Sequence, residues 1–247
     1  MVKMFHEISR NHFITFSYLP KVIILMAVIG CGGQQIEKPP IKPPQPPPPR
    51  PTNTQLNRWD QGIRKMKPVV IVIDPGHGGN KPGTMIGSLP GKTLNLMIAK
   101  SLAEELTSYG ANVILTRDND RDIDLVERAE ISNQNRADFF ISIHNDSNPN
   151  SAINGATIYL EPNAQRKTEN IALSIKKAFQ NAGIECLGVR RKELIVLINN
   201  KRPAILVECG FLSNPTEAAK LNQASYRHKL ARTIAHGIAE YFINSQY

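Results

Sequence analysis

The stretch Val69–Gly79, reading VVIVIDPGHGG, constrains this chain more than any other. A run of apolar, β-branched residues ends in Asp74-Pro75-Gly76, which predicts a buried strand entering a tight, glycine-rich turn. His77 then stands at the carboxyl end of a strand, the edge where open α/β sheets place their chemistry. Two later apolar runs end in the same way. Phe139–Ile143 leads into His144, and Ala204–Val207 delivers Glu208. Two imidazoles and one carboxylate at three strand ends suggest one metal site.

From Pro68 onward, strand and helix patterns alternate to the end of the chain, whereas residues 1–66 show no sustained amphipathic period. The expected organisation is a leader at 1–31, a linker at 32–66 and one catalytic-sized domain at 67–247. Residues 1–66 hold nine Lys/Arg against three Asp/Glu, and residues 67–247 hold 21 against 18. The basic character therefore belongs mainly to the leader and linker. It reads as a solvated tail, or as a segment drawn to anionic lipid or an anionic wall polymer by screened attraction. With one Trp, Trp59, and few other aromatics, no stacking platform for nucleic acid is visible.

Lys21 precedes the apolar run Val22–Ile29, and Gly30-Cys31 follow. The run is far short of the ~20 residues that a bilayer span requires, and its length fits a signal-peptide core flanked by Lys3, Arg10 and Lys21. Val28-Ile29-Gly30-Cys31 resembles the bacterial lipobox. That resemblance implies a lipidated Cys31 at the mature N-terminus and a location in the cell envelope. Gly32 is not the Asp that signals inner-membrane retention, so the periplasmic face of the outer membrane is expected where two membranes exist. The alternatives are a simple cleaved signal or an uncleaved anchor. Pro39–Pro51 is proline-rich. Fixed φ and missing N–H donors favour polyproline II, a semi-rigid spacer of ~3.1 Å per residue. Of the two remaining cysteines, Cys209 reads as a small core residue, with a Cys186–Cys209 bridge as the alternative.

The expected strands are Val69–Ile73, Val113–Leu115, Phe139–Ile143, Ala156–Leu160, Leu194–Leu197 and Ala204–Val207. The expected helices are Thr93–Tyr109, with Leu94, Ile98, Leu102 and Leu106 on one face; Asp124–Arg136, capped by Asp124; Lys167–Ala182; and Tyr226–Phe242. Alternation of this kind predicts an α/β fold with helices on both faces of a sheet.

The same residues carry a resemblance to the zinc-dependent N-acetylmuramoyl-L-alanine amidases of the type 3 family. Its anchors are IDPGHGG at 73–79, KTLNLMIAKSLAEEL at 92–106, VILTR at 113–117, ERAEISNQNRADFFISIHND at 127–146 and RPAILVECGFLSN at 202–214. Together they span nearly all of Val69–Tyr241. The resemblance implies a single twisted, mostly six-stranded sheet flanked by helices. It also implies hydrolysis of the amide between N-acetylmuramic acid and the L-alanine of the stem peptide, in septum splitting or wall remodelling. Peptidoglycan is then the substrate, Zn2+ the cofactor, and a division-machinery protein a candidate partner. His77 and His144 match two zinc ligands, and Glu208 matches the proton-shuttling glutamate. A zinc ion with an open position would lower the pKa of its water and polarise the carbonyl.

One position departs from the pattern. The family's third ligand, a glutamate, stands just before the lysine that opens the first helix, and here Gly91 precedes Lys92. Three readings follow. Asp146 fills the place if its loop bends inward; water or substrate fills it; or the domain is a degenerate amidase that binds peptidoglycan or a partner without cutting. Asp74, Arg117 and Arg128 read as braces of the loops. For Glu208 the alternative is a salt bridge to Arg202 or Arg117. His6, His12, His228 and His236 read as structural, and Asn214-Pro215 as a turn. Some family members carry an inhibitory helix after the second histidine's strand, and the short Asn145–Asn154 link leaves little room for one.

Overall fold

The computed structural model describes residues 65–245. The signal core, Cys31 and the proline-rich spacer lie outside the described residues. The chain enters strand β1 (Val70–Pro75), then a small hairpin of β2 (Met85–Ile86) and β3 (Leu89–Pro90), then helix α1 (Gly91–Ser108). Strand β4 (Asn112–Leu115), helix α2 (Leu125–Gln134), strand β5 (Phe139–Asp146) and strand β6 (Ala156–Leu160) follow. Helix α3 (Arg166–Asn181), strand β7 (Cys186–Arg191), the short helix α4 (Ile195–Ile198), strand β8 (Ala204–Phe211), helix α5 (Pro215–Leu221) and helix α6 (Ala224–Asn244) complete the order.

Six strands form one mixed sheet in the order β4-β1-β5-β8-β6-β7. Strands β4, β1, β5 and β8 run parallel, and β6 pairs antiparallel to β8. The carboxyl ends of β1, β5 and β8 therefore share one edge, which collects His77, His144 and Glu208. Side chains alternate across a strand, and the two faces bury different cores. Ile71, Ile73, Phe139, Ile141, Ile143, Ile205 and Val207 face the larger core beneath α1, α3 and α6. Val72, Phe140, Ala204 and Leu206 face a smaller core with Val196 and Leu197 of α4. By the same alternation Asp74, Ser142, His144 and Glu208 stand on the smaller-core face, near the edge where that core gives way to polar side chains.

The sheet has six strands, as expected, but one of them is not the expected one. The sequence predicts a strand over Leu194–Leu197, whereas Ile195–Ile198 is a helical turn. A four-residue apolar run has no period that separates the two; here Val196 and Leu197 point together into the smaller core while Ile195 and Ile198 remain half-exposed. The sixth strand is β7, an edge strand whose Gly188, Arg190 and Arg191 carry no apolar alternation. Asn214-Pro215 begins a helix rather than a simple turn: Asn214 Oδ1 accepts the Glu217 N–H at 3.0 Å, and Pro215 occupies the first helical position. Asp124 caps α2 as expected, accepting the Val126 N–H at 2.8 Å. Cys186 and Cys209 are both free thiols, so no bridge joins them, and Cys209 is buried in the larger core.

Helices α3 and α6 meet at Gly237, whose carbonyl accepts the Ser174 hydroxyl at 2.7 Å. A β-carbon at 237 would lie 2.6 Å from the Ile175 Cα. Gly237→Ala should therefore destabilise the domain by about 1–3 kcal/mol through overpacking, although alanine favours a helix interior by about 1 kcal/mol. Urea denaturation checks this; a variant at least as stable as the parent would mean that the close approach is not needed.

Candidate functional site

The first histidine sits on a strained turn that two buried arginines hold in place. His77 has φ +62°, a left-handed conformation unusual for a residue with a side chain, and such strain costs on the order of 1–3 kcal/mol. Arg128 donates from Nη1 to the Asp74 carboxylate at 2.7 Å and to the Pro75 carbonyl at 2.9 Å, and from Nη2 to the His77 carbonyl at 2.8 Å. Arg117 reaches the Pro75 carbonyl from Nε at 2.9 Å, and from Nη2 the Gly76 and Lys92 carbonyls at 2.9 and 2.8 Å. Asp74 also accepts the Thr116 and Ser142 hydroxyls at 2.6 and 2.7 Å. Asp74, Arg117 and Arg128 are each at most 2% exposed. Their hydrogen bonds thus tie the turn to the segments that flank it, and the sequence reading of these three residues as braces holds.

The second histidine and the glutamate are neighbours across the sheet. His144 of β5 and Glu208 of β8 are register partners, so their side chains leave the same face side by side. Gly76 lies beside His144 on the opposite flank. Its N–H donates to the Ile143 carbonyl at 2.9 Å, and a β-carbon there would fall 2.2 Å from His144 Nε2. That glycine leaves room for the imidazole. The His77 and His144 rings meet edge to face with centroids 4.9 Å apart. The three residues expected at the site are therefore brought to one edge.

Removal from water pulls the His144 pKa down to about 3, with His77 and the arginines adding to the fall. His77 is lowered too, first by burial and then by Arg128 and Arg117. Both imidazoles are neutral near pH 7 and can offer lone pairs to a divalent ion with no proton to displace. At these two points the donors fit a zinc-class ion. The third point does not fit: Gly91 is buried at the start of α1 and brings no side chain. Among the described residues, no group of three or more His, Cys, Asp or Glu is arranged to hold a metal. The side chain of Asp146 lies outside what the structure describes.

Two further residues support the site and were missed by the sequence reading. Asn145 donates to Asn95 Oδ1 at 2.6 Å, and Asn95 Nδ2 reaches the Gly76 carbonyl at 3.2 Å. This chain ties α1, the end of β5 and the histidine turn together. Asn95 could have been found as a polar residue beside the apolar face of α1. Asn145 could have been found from the strand alternation that turns it inward. The β5–β6 connection consists of turns without a helix, as its length led us to expect.

A sequence model for N-acetylmuramoyl-L-alanine amidases matches residues 71–240. The chain is 37% identical over 177 residues to the N-acetylmuramoyl-L-alanine amidase LytC of Bacillus subtilis, a match covering 70% of this chain and 35% of LytC. It is 36% identical over 198 residues to the probable cell wall amidase LytH of Staphylococcus epidermidis, covering 77% of this chain and 65% of that protein. The chain thus spans about a third of LytC and just under two thirds of LytH. Among solved structures, an N-acetylmuramoyl-L-alanine amidase from Clostridium difficile superposes with a TM-score of 0.69 at 32% identity, covering 72% of this chain and 98% of that one. The catalytic domain of CwlV from Paenibacillus polymyxa gives 0.66 at 33% identity, covering 70% and 97%.

Two outcomes follow from the geometry. Arg128→Leu strands a buried Asp74 carboxylate and should cost about 3–5 kcal/mol of stability in urea denaturation; a loss under about 1 kcal/mol would show that the pair does not brace the turn. In the metal-free protein His144 titrates below its usual 6.5, so the unfolded chain binds the proton first. Stability from this source is whole above pH 6.5 and is lost as pH falls toward about 3. His144→Asn should flatten the dependence of unfolding free energy on pH in that window. An unchanged slope would place the imidazole in water.

Proposed function

The chain belongs to the N-acetylmuramoyl-L-alanine amidase family, and on that premise we propose that it hydrolyses the amide between N-acetylmuramic acid and the L-alanine of the peptidoglycan stem peptide. The observation that carries this reading is the convergence of His77, His144 and Glu208 at one sheet edge, within a match that covers most of the chain. His77 and His144 would hold the zinc ion. When bound, it would supply a nucleophile at neutral pH and polarise the scissile carbonyl.

The rest of the chemistry falls to the chain's own groups. Glu208 takes a proton from the attacking water at its carboxylate and returns it to the departing L-alanine nitrogen. Its register beside His144 supports that role. Arg117 and Arg128 keep the histidine turn rigid, so little reorganisation is required when substrate arrives. Anchoring through lipidated Cys31 with a proline-rich spacer would let the domain reach wall polymer from the membrane surface. In a two-membrane envelope, Gly32 in place of the Asp that signals inner-membrane retention supports the periplasmic face of the outer membrane. The CwlD amidase of Clostridioides difficile was solved in complex with the GerS lipoprotein, which supports looking for a protein partner here, in the division machinery or elsewhere in the envelope.

Detergent-solubilised full-length protein, incubated with purified peptidoglycan and zinc, should release peptides that begin with L-alanine, read by mass spectrometry. Release should stop with a chelator and fall by at least about 100-fold in Glu208→Gln, as expected for a lost general acid–base. Cleavage of other bonds, or release that survives both treatments, would overturn the assignment.

A further inference from the structure

The missing carboxylate at position 91 has not left a vacancy. Helix α1 has no side-chain cap: Pro90 occupies the capping position and makes no such bond. Its first N–H groups are satisfied instead by carbonyls just before and at the start of the β2–β3 hairpin. Gly91 N–H donates to the Thr84 carbonyl at 2.7 Å, and Lys92 N–H to the Pro82 carbonyl at 2.9 Å. Those donors otherwise need a cap, water or a ligand. The hairpin backbone sits so close that a β-carbon at 91 would lie 2.8 Å from the Thr84 oxygen and 3.4 Å from its nitrogen. The first contact is closer than real β-carbons come, and the neighbour is backbone rather than a flexible side-chain end. Gly91 does not have a left-handed φ, so its backbone conformation does not demand glycine. The close approach of Thr84 does.

We infer that the hairpin backbone fills the space that a side chain at position 91 would enter, so the residues present do not fit a metal site with a ligand from the start of α1. The inference rests on the amidase reading for its metal, and the packing can be tested apart from it. A glutamate at 91 must push Thr84 away and uncap α1 before its carboxylate can approach the histidines. Restoring the residue therefore does not restore a three-ligand site.

The test uses the full chain in detergent, with two variants. In Gly91→Ala, the melting temperature should fall, and hydrogen exchange at the amides of residues 91 and 92 should accelerate by at least about tenfold as the cap opens. In Gly91→Glu, zinc affinity, measured by competition with a chromophoric chelator, should stay within about threefold of the parent, whereas an effective added ligand would raise it by about tenfold or more. A gain of that size, or an alanine variant with unchanged melting and exchange, overturns the inference. If the parent chain binds no zinc, the amidase reading is what fails, and the alanine comparison still decides whether the hairpin fills the place.

Discussion

The buried pair between Arg128 and Asp74 is the interaction on which the site depends. A charge pair in this setting is costly to desolvate, and it is tolerable only when its remaining hydrogen bonds are satisfied. Here they are. Asp74 accepts from Thr116, Ser142 and Arg128, and the guanidinium spends its other donors on the carbonyls of Pro75, His77 and Ile123. The pair joins the end of β1 to α2 and β5, and it fixes a histidine in a backbone conformation that it would not choose alone. Arg117 repeats the device from the end of β4. Without these two arginines the glycine-rich turn would keep its flexibility and lose its aim.

Much of this was legible in the sequence, for identifiable reasons. The β-branched run Val69–Ile73 favours a strand, and Asp74-Pro75-Gly76 ends it. Asp124 caps a helix by chemistry that acts over two residues. His144 and Glu208 each follow an apolar run, which was enough to bring them to one edge once the strands lay parallel. What escaped was either short or decided at a distance. Ile195–Ile198 became helical because two of its side chains fill the smaller core, a preference set by Ala204 and Leu206 and not by the four residues themselves. Strand β7 forms because β6 offers it a pairing edge; its own Gly188 and arginines give no apolar alternation. Asn214 caps a helix as Asp124 does, but the proline after it looked like the mark of a turn.

The glycine at 91 shows the same division. Its identity is plain in the sequence, and so is the fact that it brings no ligand. Its consequence depends on Thr84, a residue on the far side of a hairpin, whose carbonyl the helix takes as a cap. A missing side chain and an occupied space are different conditions. The first weakens a site in principle, whereas the second redistributes backbone hydrogen bonds so that the loss becomes part of the packing.

The strand order has a consequence for when such a site can exist. His144 on β5 and Glu208 on β8 are side by side in the sheet, yet β6, α3, β7 and α4 separate them along the chain. Pairing elements so distant closes a long loop and belongs to the slower events of folding. A chain emerging from its N-terminus carries both histidines well before it carries their neighbouring carboxylate. The order of synthesis thus acts as a timer: the edge that carries His77, His144 and Glu208 cannot be complete until β8 has been made.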